Sequence, residues 1–283
     1  MITTLTLLQA GYCRCPEHLA RGRGGWGSIR FPALFALIEH PRFGRLLFDT
    51  GYSTAFFRAT HRLPYRLYRH ATPVTLPEEE AAVHQLAARG LRPGDIDHVL
   101  ISHFHADHVS ALADFPRARY HFFPEAYAHV RGRRGWRALA AAYLPDLMPA
   151  GFDDRAQPLL ETKALPPEYA PFTEGADVFG DESLWAVRLP GHAHGQLGLL
   201  ARTAGGAETF LVADACWHSG AFRDNHPPHP LANLIFDNPA AYRHTLGRLH
   251  ALHQRRPDLT IIPSHCDEAA ARYAVRPAVE TRA

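Results

Sequence analysis

Lysine is almost missing from this chain: of 30 basic residues, all but Lys163 are arginine. Charge is nearly balanced, with 28 acidic residues and a net charge of +2, and no acidic or basic tail argues for a polyanionic partner, so no nucleic acid is expected. Cysteine is sparse. Cys13, Cys15, Cys216 and Cys266 are too scattered over 283 residues for the disulfide framework of a small secreted domain. No stretch approaches the ~20 apolar residues of a membrane span. The opening "MITTLTLLQAGYCRC" has no positive n-region, and threonines break its apolar run, which is the pattern of a first strand rather than a signal peptide. Internal repeats, low-complexity tracts and obvious linkers are absent as well. These absences lead to the expectation of a soluble protein in a reducing, cytoplasmic compartment.

What is present is enough apolar material for a core, at 46% hydrophobic and 11% aromatic residues, and the chain reads as one α/β domain over 1–283. "FPALFALIEH" (31–40) and "GRLLFDTG" (44–51) read as consecutive strands around the turn at Pro41 to Gly44. "TLPEEEAAVHQLAARG" (75–90) reads as a helix, with Pro77 in its first turn, three glutamates at the positive end of the dipole and Gly90 as its stop. Strands are expected at 97–102, 118–123 and 184–192. A hairpin is expected around Gly205 and Gly206, a helix over 239–256 and a last strand at 259–265. The Pro-rich stretch 158–171 reads as the longest loop.

The chemistry gathers at strand ends. Asp49, His103, His192, Asp214 and His265 each follow an apolar run, and in sheet proteins that edge is where sites are assembled. The densest cluster is "SHFHADHVSAL" (102–112), an HxHxDH pattern just past a strand, in which His103 and His105 can converge while Asp107 and His108 point the other way. Neutral imidazoles and a carboxylate suit zinc first, with iron or manganese as alternatives.

HxHxDH, then "PGHAHG", then "FLVADACW", then a histidine after the last strand, together resemble the metallo-β-lactamase fold superfamily, and within it the N-acyl homoserine lactonases. The resemblance implies an αββα sandwich, two mixed sheets face to face with helices outside. It also implies two zinc ions, one held by His103, His105 and His192 and the other by Asp107, His108 and His265, with Asp214 bridging. Asp49 would orient ligand imidazoles by accepting an N–H. "GHAHG" offers His194 as a second choice to His192.

Such a site implies a bridging hydroxide attacking the carbonyl of a lactone or related ester, with Asp107 carrying the proton to the leaving oxygen and Asp214 as the second catalytic carboxylate. The lactonases place a tyrosine three residues after the bridging aspartate. Here that position is Trp217, so Trp217, Tyr12 and His218 are the expected contacts to substrate. The expected partner is a small-molecule ester or lactone, and a homodimer is an option for assembly. The alternatives are a thioesterase of the glyoxalase II kind, an iron-dependent persulfide dioxygenase and a phosphodiesterase. The aromatic-rich segments 56–70 and 136–152 could wall an apolar pocket. "RGRRGWR" (131–137) reads as a solvated loop, Cys216 and Cys266 as small buried neighbours of ligands, and Cys13, Cys15 and His18 as a faint third metal group.

Overall fold

The computed structural model describes residues 1–275. Its first sheet is built from β1 (Thr4–Pro16), β2 (Ser28–His40), β3 (Gly44–Phe48), β4 (Val74–Thr75), β5 (His98–Leu100), β6 (Arg119–Phe122) and β7 (Ala156–Pro158), in the order β4-β1-β2-β3-β5-β6-β7. The second contains β8 (Lys163–Ala164), β9 (Glu174–Asp177), β10 (Leu184–Arg188), β11 (Leu197–Arg202), β12 (Glu208–Ala213) and β13 (Thr260–Pro263), in the order β13-β12-β11-β10-β9-β8. Both sheets are mixed: β1, β2 and β3 pair antiparallel while β3, β5, β6 and β7 run parallel, and β13 adds parallel to the antiparallel β10–β12 meander.

Alternation of side chains along each strand explains the layers. Leu34, Ala36 and Ile38 of β2 share a core with Leu197 and Leu199 of β11 and Leu211 of β12, so this face lies between the sheets. Their neighbours Phe35 and Leu37 turn the other way, into a cluster that includes the helix residues Leu86, Val109, Leu246 and Leu249. The strands are therefore buried on both faces, which is why they read as continuous apolar runs. The result is the expected αββα sandwich.

The longest helix, Pro239–Arg255, shows how sequence dictates one outer layer. Asn238 caps it by accepting from the N–H groups of Ala240 and Ala241, Pro239 occupies the first position, and Tyr242, Leu246, Leu249 and Leu252 bury one stripe. Leu249 is wholly buried, so Leu249→Ala should cost about 2–5 kcal/mol.

Two expectations are corrected. The helix expected over 75–90 is broken into a 3₁₀ turn, Glu78–Glu80, and a helix, Ala82–Ala87, with extended backbone at Ala81. The cause is a competing use for Glu80, whose carboxylate accepts from the Gly11 N–H at 3.1 Å and Gln9 Nε2 at 3.3 Å, where β1 bulges. The stretch 158–171 is no featureless loop, since it carries the end of β7, the short edge strand β8 and a 3₁₀ turn at Pro167–Tyr169. Prolines confine such strands to sheet edges. Among the described residues no helix is long and apolar enough to cross a membrane.

Candidate metal centre

Seven side chains meet along one edge of the sandwich, four from the first sheet and three from the second. His103 and His105 follow β5, and Asp107 and His108 lie in the single helical turn Ala106–Val109. His192 follows β10, Asp214 follows β12 and His265 follows β13. His103, His105 and His192 form one group of converging ligand atoms, and Asp107, His108 and His265 another. Asp214 stands between them: Oδ2 lies 3.2 Å from His192 Nε2 and 3.0 Å from His265 Nε2, and Oδ1 lies 3.3 Å from His108 Nε2. His194 does not join. Its ring points outward to Asp237.

The turn that carries His192 depends on Gly191. At φ +136° its α-carbon lies so close to the helix Pro239–Arg255 that a Cβ would come within 2.2 Å of the Tyr242 backbone. Asn238 N–H donates to Gly191 O and Asp237 N–H to His192 O, which pins the turn to the helix start. Asp49 at φ 58° and Ala213 at φ 48°, beside Asp214, hold left-handed backbone that costs about 1–3 kcal/mol each. Both stand where a strand hands over to the site.

Hydrogen bonds outside the cluster fix which nitrogen three of the five imidazoles, those of His103, His108 and His265, turn inward. His108 Nδ1–H donates to Asp49 Oδ2 at 2.8 Å, and His265 Nδ1–H donates to the Pro32 carbonyl at 2.7 Å. Ser102 Oγ–H donates to Asp49 Oδ2 at 2.8 Å and in turn accepts from His103 Nδ1–H at 3.0 Å, while Asp49 Oδ1 accepts from the Ser102 N–H. Asp49 thus lies one step behind the cluster. Ser102 was not anticipated. It precedes HxHxDH without a metal-ligating group of its own, so only the geometry identifies it.

Burial, followed by the charge of neighbouring imidazoles, holds His103 well below the usual histidine range. Burial lowers His105 to about 4 and holds His192 well down, so these three rings are neutral with lone pairs available. Burial also opposes charge on His108 and His265, but the carboxylates around them win and raise both. Asp214 is likewise desolvated, yet His265, His192 and His108 hold it well below the usual carboxylate range. His103 Nε2 is buried without a hydrogen-bond partner and turns toward the cluster, and His108 Nε2 and Asp214 Oδ1 there face one another, at 3.3 Å. Poorly satisfied buried polar atoms are costly, and nitrogen and oxygen donors gathered in this way fit cations of the zinc class.

The cluster forms the floor of a cavity of about 350 Å³. Leu67 and Tyr68, from the helix Arg66–Ala71, and Leu139 and Ala142 wall it, so the segments 56–70 and 136–152 both contribute. Cys13, Phe31 and Tyr52 complete the opposite wall. Of the three side chains expected to contact substrate, only Trp217 lines this cavity, and its single N–H is directed at Asp214 Oδ2, 3.3 Å away. Tyr12 lies elsewhere, because it alternates with Cys13 on β1; it packs under Arg30 in another cavity beside Glu80. His218 also lies elsewhere, at the position before the helix Ser219–Asp224, where it lines a different cavity with Arg21 and Arg23. Cys216 and Cys266 are fully buried, the latter capping the helix Asp267–Tyr273 through Sγ. Cys13, Cys15 and His18 do not converge as a ligand group.

The model of the Metallo-beta-lactamase superfamily matches residues 31–252. The N-acyl homoserine lactonase AttM of Azorhizobium caulinodans is 29% identical over 238 residues, covering 82% of this chain and 83% of that protein. AttM of Agrobacterium fabrum is 26% identical over 287 residues, at 96% and 97% coverage. Among solved structures, an N-acyl homoserine lactone hydrolase with N-hexanoyl-L-homoserine at its catalytic metal centre superposes with a TM-score of 0.71 at 18% identity, covering 98% of each chain. AidC, a dizinc quorum-quenching lactonase, gives 0.63 at 16% identity, with 94% of this chain and 89% of that chain covered. The matched region contains every converging residue except His265, and the sandwich is shared from end to end; the chain belongs to the metallo-beta-lactamase superfamily.

Proposed function

We propose that this protein is a dinuclear zinc hydrolase that opens lactones bearing an apolar tail. The observation that carries the reading is the convergence of seven His and Asp side chains, with poorly satisfied buried donor atoms among them, on the floor of an apolar cavity. The AttM relatives support the substrate class.

His103, His105 and His192 would hold one ion and Asp107, His108 and His265 the other, with Asp214 shared. When bound, such a pair supplies a Lewis acid for the carbonyl and hydroxide at neutral pH. Asp107 borders both cluster and cavity and would return a proton to the leaving ring oxygen. Tyr68, which lines the same cavity, would supply the phenol that Trp217 cannot. Its hydroxyl lies against the Ala106 backbone N–H, and burial followed by the nearby Asp107 carboxylate keeps the phenol protonated, so it can donate to substrate oxygen. Leu67, Leu139 and Ile235 offer the tail an apolar path. Four free thiols support a reducing, cytoplasmic setting.

The test compares acyl homoserine lactones of increasing tail length with simple γ- and δ-lactones, a thioester and bis-p-nitrophenyl phosphate. Each buried methylene contributes up to ~0.8 kcal/mol, so kcat/KM should climb with tail length until the cavity is full. Preference for the thioester or phosphodiester, or indifference to tail length, would reject the lactone reading and leave the metal centre standing.

A further inference from the structure

The outward turn of His194 leaves an unused group. Its ring stacks on His129 at 4.7 Å between centroids and 18° between planes, and its Nδ1 lies 3.3 Å from Asp237 Oδ2. One ligand atom from each of His129, His194 and Asp237 falls within 4.8 Å of the others. We propose that these three residues form a separate, solvent-accessible site for a zinc-class divalent ion on the rim of the molecule's catalytic edge. None of them belongs to the candidate centre, so the proposal stands or falls independently of the lactonase reading.

Three segments far apart in sequence are locked together here by backbone. Gly195, at φ +66°, approaches the start of the helix Pro124–Val130 so closely that a Cβ would lie 2.5 Å from Ala126 N, and this contact sets His194 beside His129. Asp237 is tied to the same turn by its N–H bond to His192 O at 3.0 Å. The three ligands are thus preorganised on one scaffold, which reduces the ordering cost of binding. Two imidazoles and a carboxylate leave coordination positions open to water, and the donor set selects zinc, nickel or copper over calcium or magnesium. Burial, then Arg133 and His194, hold the His129 imidazole below its ordinary pKa, which favours the neutral ring a metal needs. The group borders a cavity of about 300 Å³ that His105 and His192 also line, so an ion here would stand next to the candidate centre.

One neighbour opposes binding. Arg133 Nη2 lies 3.5 Å from His129 Nδ1 and would be repelled by an incoming cation. That repulsion supplies an informative variant, because Arg133→Ala should tighten the site while leaving its ligands intact.

The experiment is equilibrium dialysis of the metal-loaded protein against excess free zinc, with bound metal measured per chain. The intact protein should retain one more ion than His194→Ala or His129→Gln, and Arg133→Ala should keep that ion at lower free zinc. His84→Gln, which removes a surface histidine elsewhere, should change nothing. Equal metal content in the intact protein and in His194→Ala and His129→Gln would overturn the proposal, as would an equal loss in His84→Gln. Should His194→Ala fold poorly, judged by the melting of the chelated protein, Asp237→Asn and His129→Gln decide by the same comparison.

Discussion

Asp49 Oδ2 lies 2.8 Å from His108 Nδ1, and that contact settles which face of the imidazole looks into the cluster. With Nδ1–H committed to the carboxylate, Nε2 is left toward Asp107 and Asp214. Asp49→Asn keeps the shape but can present N–H to N–H. Metal affinity or kcat should fall by about 10- to 100-fold, and titration with a metal indicator would read it. Parent metal affinity together with parent turnover would remove this role.

Ser102 links Asp49 to His103, so its effect should not be independent of Asp49. Ser102→Ala should also weaken metal binding, and the double variant Asp49→Asn, Ser102→Ala should lose less than the sum of the two, with a coupling of about 0.5–3 kcal/mol. Strict additivity in a double-mutant cycle would show that the hydroxyl does not transmit the carboxylate's hold.

Metal removal should destabilise the fold, because orphaned polar atoms replace satisfied ones. For an ion at a thousand times its Kd the linkage is about 4.1 kcal/mol, or about 7 °C in Tm for a chain of this size. Calorimetry with and without chelator measures it. Asp214→Ala, which removes the shared carboxylate, should lose most of this chelator-sensitive shift, whereas a full shift in that variant would argue against a shared ligand.

Tyr68→Phe deletes one hydroxyl and leaves the cavity wall. A lost hydrogen bond to a charge-developing oxygen is worth about 1.5–3 kcal/mol, so kcat should drop roughly 10- to 100-fold with KM and metal content little changed. An unaltered kcat would return the search for a donor to the other cavity residues.

Acid sensitivity should arise not only at the buried imidazoles of the metal centre but also away from it, at His121 on β6. Burial, then His98 and Arg119, lower His121 to about 3, and its Nε2 lies 3.0 Å from His98 Nδ1. The folded chain keeps this ring neutral, while the unfolded chain binds a proton below about pH 6.5. Stability from this group is therefore complete above that value and is lost as pH falls toward 3, by up to about 1.4 kcal/mol per pH unit. His121→Phe should flatten the Tm-against-pH curve between pH 6.5 and 4.5. A curve as steep as the parent's would assign the sensitivity elsewhere.

His103, His192, Asp214 and His265 were legible because each follows an apolar run, and a strand's end carries its side chain to a fixed edge whatever the loops do; His105, Asp107 and His108 were legible from the HxHxDH pattern. Less legible were contacts that depend on which face of an element a residue occupies. Tyr12 and Cys13 are adjacent in sequence, yet one faces the cavity and the other its reverse, and no composition rule chooses between them. Tyr68 lay inside a segment identified only as a wall, since the short helix Arg66–Ala71 has no capping side chain to mark it. The helix expected over 75–90 failed because local propensity yielded to a long-range carboxylate contact.

Lys163 lies on the edge strand β8, with its side chain 60% exposed and 3.9 Å from Asp177. No residue lining the cavity over the candidate centre carries a side-chain amine. An amine-directed linker can therefore reach this side chain, on a strand that contributes nothing to the cluster, and besides it the exposed α-amino group of Met1. Tethered molecules would then share at most two attachment geometries, both with an unmodified cavity, a property that the near-absence of lysine confers on this sequence.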